Sequence, residues 1–499
     1  MFESILQGFF NLFALNNLLA LTAGVVVGIL LGVTPGLGAL LGVSLLLPLV
    51  WILEPSAGIL MLVGIHAAVM TGGVIPTILM AVPGAPTNLA TLADGYPMTQ
   101  RGEGARALGA ALTSSALGGI VGVPMAILMI PVIIPIVLAM GSPEMTLMVM
   151  VGLSFLATLG SGDEKLKNMM AGMLGILVSL IGIHPATGTY RFTFGVPYLY
   201  DGVDFLMIAL GMFGMSELFN LFLQGKGAIA SSGTTNIRIF DTFEGVKDVF
   251  RHWWLWFRCS VIGYVIGLIP GIGGTISIFL TYGYGQKSSK HPEKWGTGIV
   301  EGVIAPEAAN NSSVSGSVLT SLALGIPGDS VLALILGAFL ILGITPGKEL
   351  LTEQLPLTTT IIVGVALANF IAVVICFPGI STLTKITVVP YKYLFCIIIV
   401  LLSVSSFSTN RQILDVIALI PFGIIGLCMK KFGYSLTCFI LGFILGNLFE
   451  HYMWLSIKLY GPVFFLSSPL SILLLILLIG SFTFAPIKAW LANKLGGES

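Results

Sequence analysis

Gly28-Ile29-Leu30-Leu31-Gly32-Val33-Thr34-Pro35-Gly36-Leu37-Gly38 is an apolar run interrupted by a Pro-Gly pair, and Gly263-Tyr264-Val265-Ile266-Gly267-Leu268-Ile269-Pro270-Gly271-Ile272-Gly273 repeats it 235 residues later at every Gly and Pro position. A helix in hydrocarbon cannot leave backbone N–H and C=O groups unpaired. Such a break is tolerated at membrane depth only where protein buries it or where it lines a cavity. Matching breaks in two halves of one chain point to a transport site.

Working outward, Gly72-Gly73-Val74-Ile75-Pro76-Thr77-Ile78-Leu79-Met80-Ala81-Val82-Pro83-Gly84 aligns with Gly316-Ser317-Val318-Leu319-Thr320-Ser321-Leu322-Ala323-Leu324-Gly325-Ile326-Pro327-Gly328 at an offset of 244 residues. Each half therefore carries two broken elements. Small polar residues follow the second break of each half, Thr87 and Asn88 in one and Asp329 and Ser330 in the other. The free N–H groups and dipole of a half-helix start attract a carboxylate, and unwound carbonyls hold a cation. The expected ligand is a small anion accompanied by Na⁺ or H⁺.

Composition sets the medium. Only 9% of the 499 residues are charged and 56% are hydrophobic, against roughly 25% charged residues in soluble domains. Apolar runs of membrane-crossing length recur along the chain, so we expect an all-α integral membrane protein of roughly 10–14 segments. The formal net charge is zero, and nothing suggests nucleic acid as a partner. The five cysteines lie singly without CxxC spacing and read as small core residues. The first cation is Arg101, so no positively charged leader begins the sequence as given.

The expected organisation is a first repeat half with following spans over 1–223, a polar cytoplasmic linker over 224–250, a second repeat half over 251–382, and C-terminal helices over 383–499. With the N-terminus outside and the C-terminus inside, only Arg191, Lys348, Arg411 and Lys458 of the 22 cations fall on the outer face. That is a strong positive-inside bias. In this arrangement the first Pro-Gly hairpin opens outward and the second inward, which makes the repeats inverted in topology.

The string Glu301-Gly302-Val303-Ile304-Ala305-Pro306-Glu307-Ala308-Ala309-Asn310-Asn311-Ser312-Ser313, with Gly325-Ile326-Pro327-Gly328-Asp329, Asp94-Gly95-Tyr96-Pro97 and Pro35-Gly36-Leu37-Gly38, resembles the large membrane subunit of the tripartite tricarboxylate transporter family from about residue 18 to beyond 440. The resemblance implies a permease in a bacterial inner membrane. Its partners would be a small membrane subunit and a periplasmic substrate-binding protein, and it would be driven by an ion gradient. In keeping with that, no phosphate-binding GxxxxGK[ST] loop occurs. Where many members read His-Gly-Ile-Gln-Pro-Gly-Pro, this chain has Leu342-Gly343-Ile344-Thr345-Pro346-Gly347-Lys348, so the expected ligand is a small carboxylate, citrate-like but not fixed as a tricarboxylate.

The candidate substrate-binding residues are Pro35, Gly36, Gly38, Pro83, Gly84, Thr87, Asn88, Pro270, Gly271, Gly273, Asn310, Asn311, Ser312, Pro327, Gly328 and Ser330. The candidate ion-coupling acids are Glu307, Asp329 and Asp94, because an intramembrane acid is a functional candidate by default. Packing kinks and interhelical hydrogen bonds are the plainer alternatives. No HExxH or other metal spacing involves the histidines. His66 reads as a buried core histidine, with proton coupling as the alternative. No catalytic residue or cofactor is expected, and the competing functions are an intramembrane enzyme and a passive anion channel.

Overall fold

The computed structural model describes residues 1–34, 36–156, 163–224, 239–270, 273–386 and 391–480. It is almost wholly helical, and its contacts divide it into two compact units. The first comprises Met1–Ile134 with Phe205–Leu427, and the second Pro135–Asp204 with Cys428–Ser499.

The chain begins with α1 (Phe2–Leu12), α2 (Leu15–Val33), α3 (Ala39–Leu46, extended by a 3-10 turn to Trp51), α4 (Pro55–Met80), α5 (Leu89–Gln100) and α6 (Gly104–Leu138). Next come α7 (Ser142–Leu156) and α8 (Asp163–Ser179), a two-residue-per-strand hairpin of β1 (Gly182–Ile183) and β2 (Tyr190–Arg191), then α9 (Phe205–Ala209) and α10 (Ser216–Gln224) joined by a π turn. A second series follows: α11 (Ile239–Arg251), α12 (Trp253–Gly267), α13 (Gly273–Ser288), α14 (Glu301–Leu324), α15 (Ser330–Ile341), α16 (Lys348–Thr352) and α17 (Leu355–Ile386). The helices α18 (Tyr391–Asn410), α19 (Ile413–Lys431) and α20 (Leu436–Tyr460) complete it. Six of the described helices, α2, α4, α6, α17, α19 and α20, are long and apolar enough to cross a bilayer, with shorter apolar helices beside them.

In the first unit, the glycines of the opening motif explain why two helices meet backbone to backbone. A methyl group on Gly28 would lie 2.7 Å from the Ile65 carbonyl oxygen, and one on Gly263 would lie 2.7 Å from that of Ala309. The contact from Gly24 to Met61 continues to Gly32 and Val69, so α2 runs parallel to α4, and Gly267 on Ser313 sets α12 parallel to α14 in the same way. Ile65 and Ala309, like Val69 and Ser313, are 244 residues apart. The duplication seen in the sequence is thus a duplication of contacts. Because α2 and α4 are parallel, α3 must carry the chain back between them, and the first Pro-Gly break is a hairpin.

The second break of each half is a re-entrant turn built from equivalent atoms. The α4 helix ends at Ala81 and α14 at Gly325, both in the left-handed region, with φ of 56° and 68°. The chain then folds back along its own helix. The Gly84 N–H donates to Thr77 Oγ1 (3.2 Å), whose hydroxyl donates to the Gly73 carbonyl (2.7 Å). In the other half, Gly328 N–H donates to Ser321 Oγ (2.9 Å), whose hydroxyl donates to Ser317 (2.7 Å). Only glycine fits these tips, since a methyl at Gly84 would meet the Gly32 carbonyl oxygen at 2.5 Å and one at Gly328 the Ser317 Cβ at 2.5 Å.

The two halves are inverted. Asn88, returned to the level of Met70, faces Glu307, and Thr71 bonds Asn311, whereas His66 bonds Asp329 beside the Ser317 end of α14. From Glu307 and Asn311 to Ser317, α14 passes from the level of Met70 and Thr71 to that of His66, so it runs antiparallel to α4. The halves also interlock. The last helix of each packs on the central helix of the other: α6 lies along α14 (Ser114 Oγ donates to the Ile304 carbonyl at 2.8 Å, and Gly118 abuts Ala308), and α17 lies along α4.

Two amphipathic helices extend this exchange beyond what the sequence reading anticipated. In α1, Gly8 abuts Pro356 and Thr359 at the start of α17, and in α11, Gly245 abuts Arg106 and Ala110 at the start of α6. The expected linker over 224–250 therefore contains a docked helix from Ile239 onward. Its polarity is that of a half-exposed helix whose Asp248 pairs with Arg106 at 2.6 Å. Residues 225–238 lie outside the described residues.

In the second unit, α8 and α20 run parallel, with Gly172 against Gly442 and Gly446 against Ile176 and Ser179. Arg191 grips Glu450 with two hydrogen bonds of 2.7 and 2.8 Å, which holds the guanidinium pKa above its ordinary value. A cavity of about 340 Å³ lies beside this pair, but the cation is already matched by the acid.

Gly32→Leu and Gly267→Leu should each destabilise the protein by at least the roughly 1–3 kcal/mol of an overpacked core, while Gly283→Ala, where nothing lies within 4 Å of the added methyl, should leave the unfolding temperature in detergent unchanged or raised. Equal tolerance of all three would refute the close packing of α2 on α4 and α12 on α14.

Candidate functional site

The chain carries no Lys or Arg before Arg101 and none between Lys294 and Lys348. The four elements α4, α5, α14 and α15 are therefore free of permanent cations. They instead bring polar side chains into an otherwise apolar interior. Those on α14 from Glu307 to Ser321 are buried, with Glu307, Asn310, Asn311, Ser312 and Ser313 at 0% exposure, and His66, Thr71, Asn88, Thr91, Ser115 and Asn369 are equally buried around them.

One end of this belt is built on Glu307. The Thr91 hydroxyl donates to Glu307 Oε1 at 2.6 Å, while the Asn88 and Asn310 amides approach its oxygens at 3.4 Å each. Among the described residues no cation pairs with this carboxylate. Asn88 and Thr91 stand on the first re-entrant tip and the helix it starts, three residues apart and hence on one face. The carboxylate belongs to the other half.

The opposite end is its topological mirror with different chemistry. Asp329 caps α15, accepting from the Val331 and Leu332 N–H groups at 2.9 Å each, and its other oxygen meets His66 Nε2 at 3.1 Å. The Asp329 side chain keeps 14% exposure and His66 none. Between the two ends, the Asn311 amide donates to Thr71 Oγ1 (3.1 Å) and Asn369 Oδ1 (2.7 Å), tying α14 to α4 and α17.

The hairpin breaks meet these tips from the other half. The start of α13 packs on residues 86–88, where a methyl on Gly274 would lie 3.1 Å from Ser313 Oγ and 3.4 Å from Thr87, and α3 packs on α15. Gly38 is the uncapped start of α3, and neither it nor Gly36 has an atom within 4 Å of an added methyl. Gly36 and Pro86 are exposed and Gly38, Pro83, Pro270 and Ser330 half-buried, whereas Pro327, Gly328 and Gly84 are buried in the turns themselves. Gly273 begins α13. Pro35 and Gly271 lie outside the described residues.

Two sequence candidates are placed differently from the rest. Ser312 donates within its own helix to the Ala309 carbonyl (3.2 Å) and abuts Gly263, at the α12 contact. Asp94 lies one turn beyond Thr91 and serves as a fastener. Its oxygens accept from the N–H groups of Gly296 (3.0 Å), Gly298 (2.7 Å) and Ile299 (3.0 Å) and from the Tyr282 hydroxyl (2.8 Å). Gly296 and Gly298 have φ of 82° and 100°, which turns successive N–H groups inward as an anion-binding nest. The carboxylate is spent on holding the lead into α14.

The sequence reading left Thr71, Thr91, Ser115 and Asn369 unsingled. It also gave His66 no partner, although the repeat offset of 244 carries Asn310 onto His66.

The sequence matches the tripartite tricarboxylate transporter TctA family over residues 18–441. The chain belongs to this family. A protein of Agrobacterium vitis described as an uncharacterized 52.8 kDa protein in the TAR-I ttuC' 3'region is 33% identical over 438 residues, covering 88% of this chain and 86% of its own length. A second, described as an uncharacterized protein in the TAR-II ttuC' 3'region of the same organism, is 37% identical over 191 residues, covering 38% of this chain and 79% of its own. No solved structure matches. As a TctA-family chain it is a membrane component of tripartite tricarboxylate transporters.

Asp329→Ala removes a helix cap, at a cost of about 1 kcal/mol, and leaves buried His66 without its partner, about 1–3 kcal/mol more. In thermal unfolding the double variant His66→Ala/Asp329→Ala should therefore lose clearly less than the sum of the singles. Additive losses would show that the pair is not coupled.

Proposed function

We propose that this chain is the permease of a secondary transporter that imports a small di- or tricarboxylate, with the uptake driven by a cation gradient across the bacterial inner membrane. The observation that carries this reading is that two re-entrant tips from inverted repeats enter the opposite ends of one buried polar belt. A fixed binding site between such halves can be opened to either side by moving one against the other.

The chemistry of the belt restricts how an anion is held. With no Lys or Arg on the central elements, its carboxylates would be received by backbone N–H groups at the starts of α3 and α13, by hydroxyls such as Thr87 and Ser330, and by Asn310. Bringing a dianion toward Glu307 and Asp329 concentrates negative charge in a low-dielectric interior. That arrangement is strongly unfavourable unless cations bind with it, which supplies the physical basis for ion coupling. Asn311 and Asn369 would keep the halves in register, and Asp94 would position α14.

A small membrane subunit and a periplasmic substrate-binding protein complete the proposed system, as the family description "tripartite" suggests. In this reading the N-terminus is outside and the C-terminus inside, which the distribution of Lys and Arg supports.

The test is uptake into vesicles carrying this chain with its neighbouring small membrane protein and exported binding protein. Labelled carboxylate should accumulate against its gradient and be released when the ion gradient is collapsed. Glu307→Gln and Asn310→Ala should reach the membrane in normal amounts yet lower uptake by at least tenfold. Equilibration without accumulation would identify a channel, and near-normal uptake by both variants would remove the belt from the transport path.

A further inference from the structure

Around Glu307 several buried oxygens are left without a hydrogen-bond partner among the described residues. The carboxylate has two oxygens and receives one strong bond, from Thr91 at 2.6 Å, and two long ones of 3.4 Å from Asn88 and Asn310. The amide oxygens Asn88 Oδ1 and Asn310 Oδ1 are buried with no hydrogen-bond partner among the described residues, as is the hydroxyl of Thr87, the residue before Asn88, and the Ser115 hydroxyl, which faces Glu307, makes no hydrogen bond of good geometry. All four residues are more than nine-tenths buried, with Asn88, Asn310 and Ser115 at 0% and Thr87 at 7% exposure. Buried polar atoms are nearly always satisfied, so a group of orphans around one carboxylate calls for a missing positive partner.

A proton on Glu307 supplies a single donor, enough for one acceptor, and leaves at least one amide oxygen still unpaired. A small cation without directional preference satisfies them together. Every available ligand is a hard oxygen: one carboxylate, two amide carbonyls and hydroxyls. Nitrogen and sulfur ligands that would favour a transition metal are absent from the group. One carboxylate balances one charge, which favours a monovalent ion over Ca²⁺ or Mg²⁺.

We propose that Glu307, Asn88, Asn310, Thr91 and Ser115 form a Na⁺ site, and that Na⁺ is the ion whose gradient drives the transport proposed above. The inference rests on that reading for its purpose but not for its test. On binding, the two asparagine amides turn their oxygens to the ion, giving up the two 3.4 Å contacts and the 3.1 Å bond from the Asn88 amide to the Met70 carbonyl. Coordination of the ion by the turned oxygens has to offset that loss. Asn88 and Ser115 belong to the first repeat and Glu307 and Asn310 to the second, so the ion joins the halves. It also fixes the tip on which Thr87 faces Ser313 and Gly274, where the carboxylate is proposed to sit. Ion and anion thereby stabilise one another's sites, the reciprocity that coupling requires. At the mirror position His66 already supplies Asp329 with a partner, so the second end needs no metal ion.

The test uses the purified full-length chain in detergent, without any carboxylate. Radioactive Na⁺ should bind saturably with one ion per chain, and NaCl should raise the unfolding temperature relative to equal KCl or choline chloride. Glu307→Gln should abolish both effects. Asn310→Ala and Thr91→Ala, which keep the acid, should weaken Na⁺ binding at least tenfold, and Asp329→Asn should leave it unchanged. If Glu307→Gln fails to fold, those latter three variants decide. Overturning results are equal responses to Na⁺, K⁺ and choline, undiminished Na⁺ binding by Asn310→Ala and Thr91→Ala, or a Glu307-dependent response to pH with none to Na⁺. Specific Na⁺ binding in a protein that accumulates no carboxylate would uphold the site and overturn the transport reading alone.

Discussion

Backbone amides that cannot be left unpaired in hydrocarbon govern this molecule. Four breaks, after α2, α4, α12 and α14, create such groups, and the fold satisfies them at two levels. Locally, a hydroxyl one turn before the end of α4 or α14, Thr77 or Ser321, receives the N–H of the returning glycine, Gly84 or Gly328. Globally, each half is buried by the other, with α6 laid on α14 and α17 on α4, and with α1 and α11 docked across at either end. Neither half would enclose its own breaks. Interlocking is thus what buries the four breaks.

On that common scaffold the two halves have diverged in chemistry while keeping their geometry. The position occupied by Asn310 in α14 holds His66 in α4, the position of Glu307 holds Val63, and that of Asp329 holds Ala85. One end has therefore become a paired acid and histidine beside a capped helix, the other an unpaired acid among oxygens. Ala81 stands in left-handed backbone where its counterpart is Gly325, a strain of about 1–2 kcal/mol for a residue with a Cβ. The structure around the first tip must hold that conformation in place. Asymmetry of this kind would let one scaffold bind the proposed anion and cation at neighbouring places.

Much of this was legible in the sequence because Pro and Gly act through the backbone alone: the motifs at Gly28–Gly38 and Gly263–Gly273 reported breaks and close helix contacts wherever the chain went. The inversion was legible through charge placement. Other features depended on partners far away in the chain. Asp94 resembles an ion-coupling acid until the nest at Gly296–Ile299, some 200 residues on, takes up its oxygens. Asn369 reaches Asn311 from a helix without a motif. The helices α1 and α11 are short and half polar, so the first was given no span and the second passed as a linker; their docking surfaces, Pro356 and Arg106, lie in the opposite repeat.

In the proposed transport cycle the re-entrant tips line one site exposed to a single side at a time. Ser330→Cys, in a protein whose five native cysteines are replaced, allows this to be measured with a membrane-impermeant thiol reagent applied to either face of oriented vesicles. The account predicts labelling from only one face in a given ionic condition and protection by the transported carboxylate in the presence of Na⁺. Equal labelling from both faces at once, or labelling that no carboxylate alters, would contradict it.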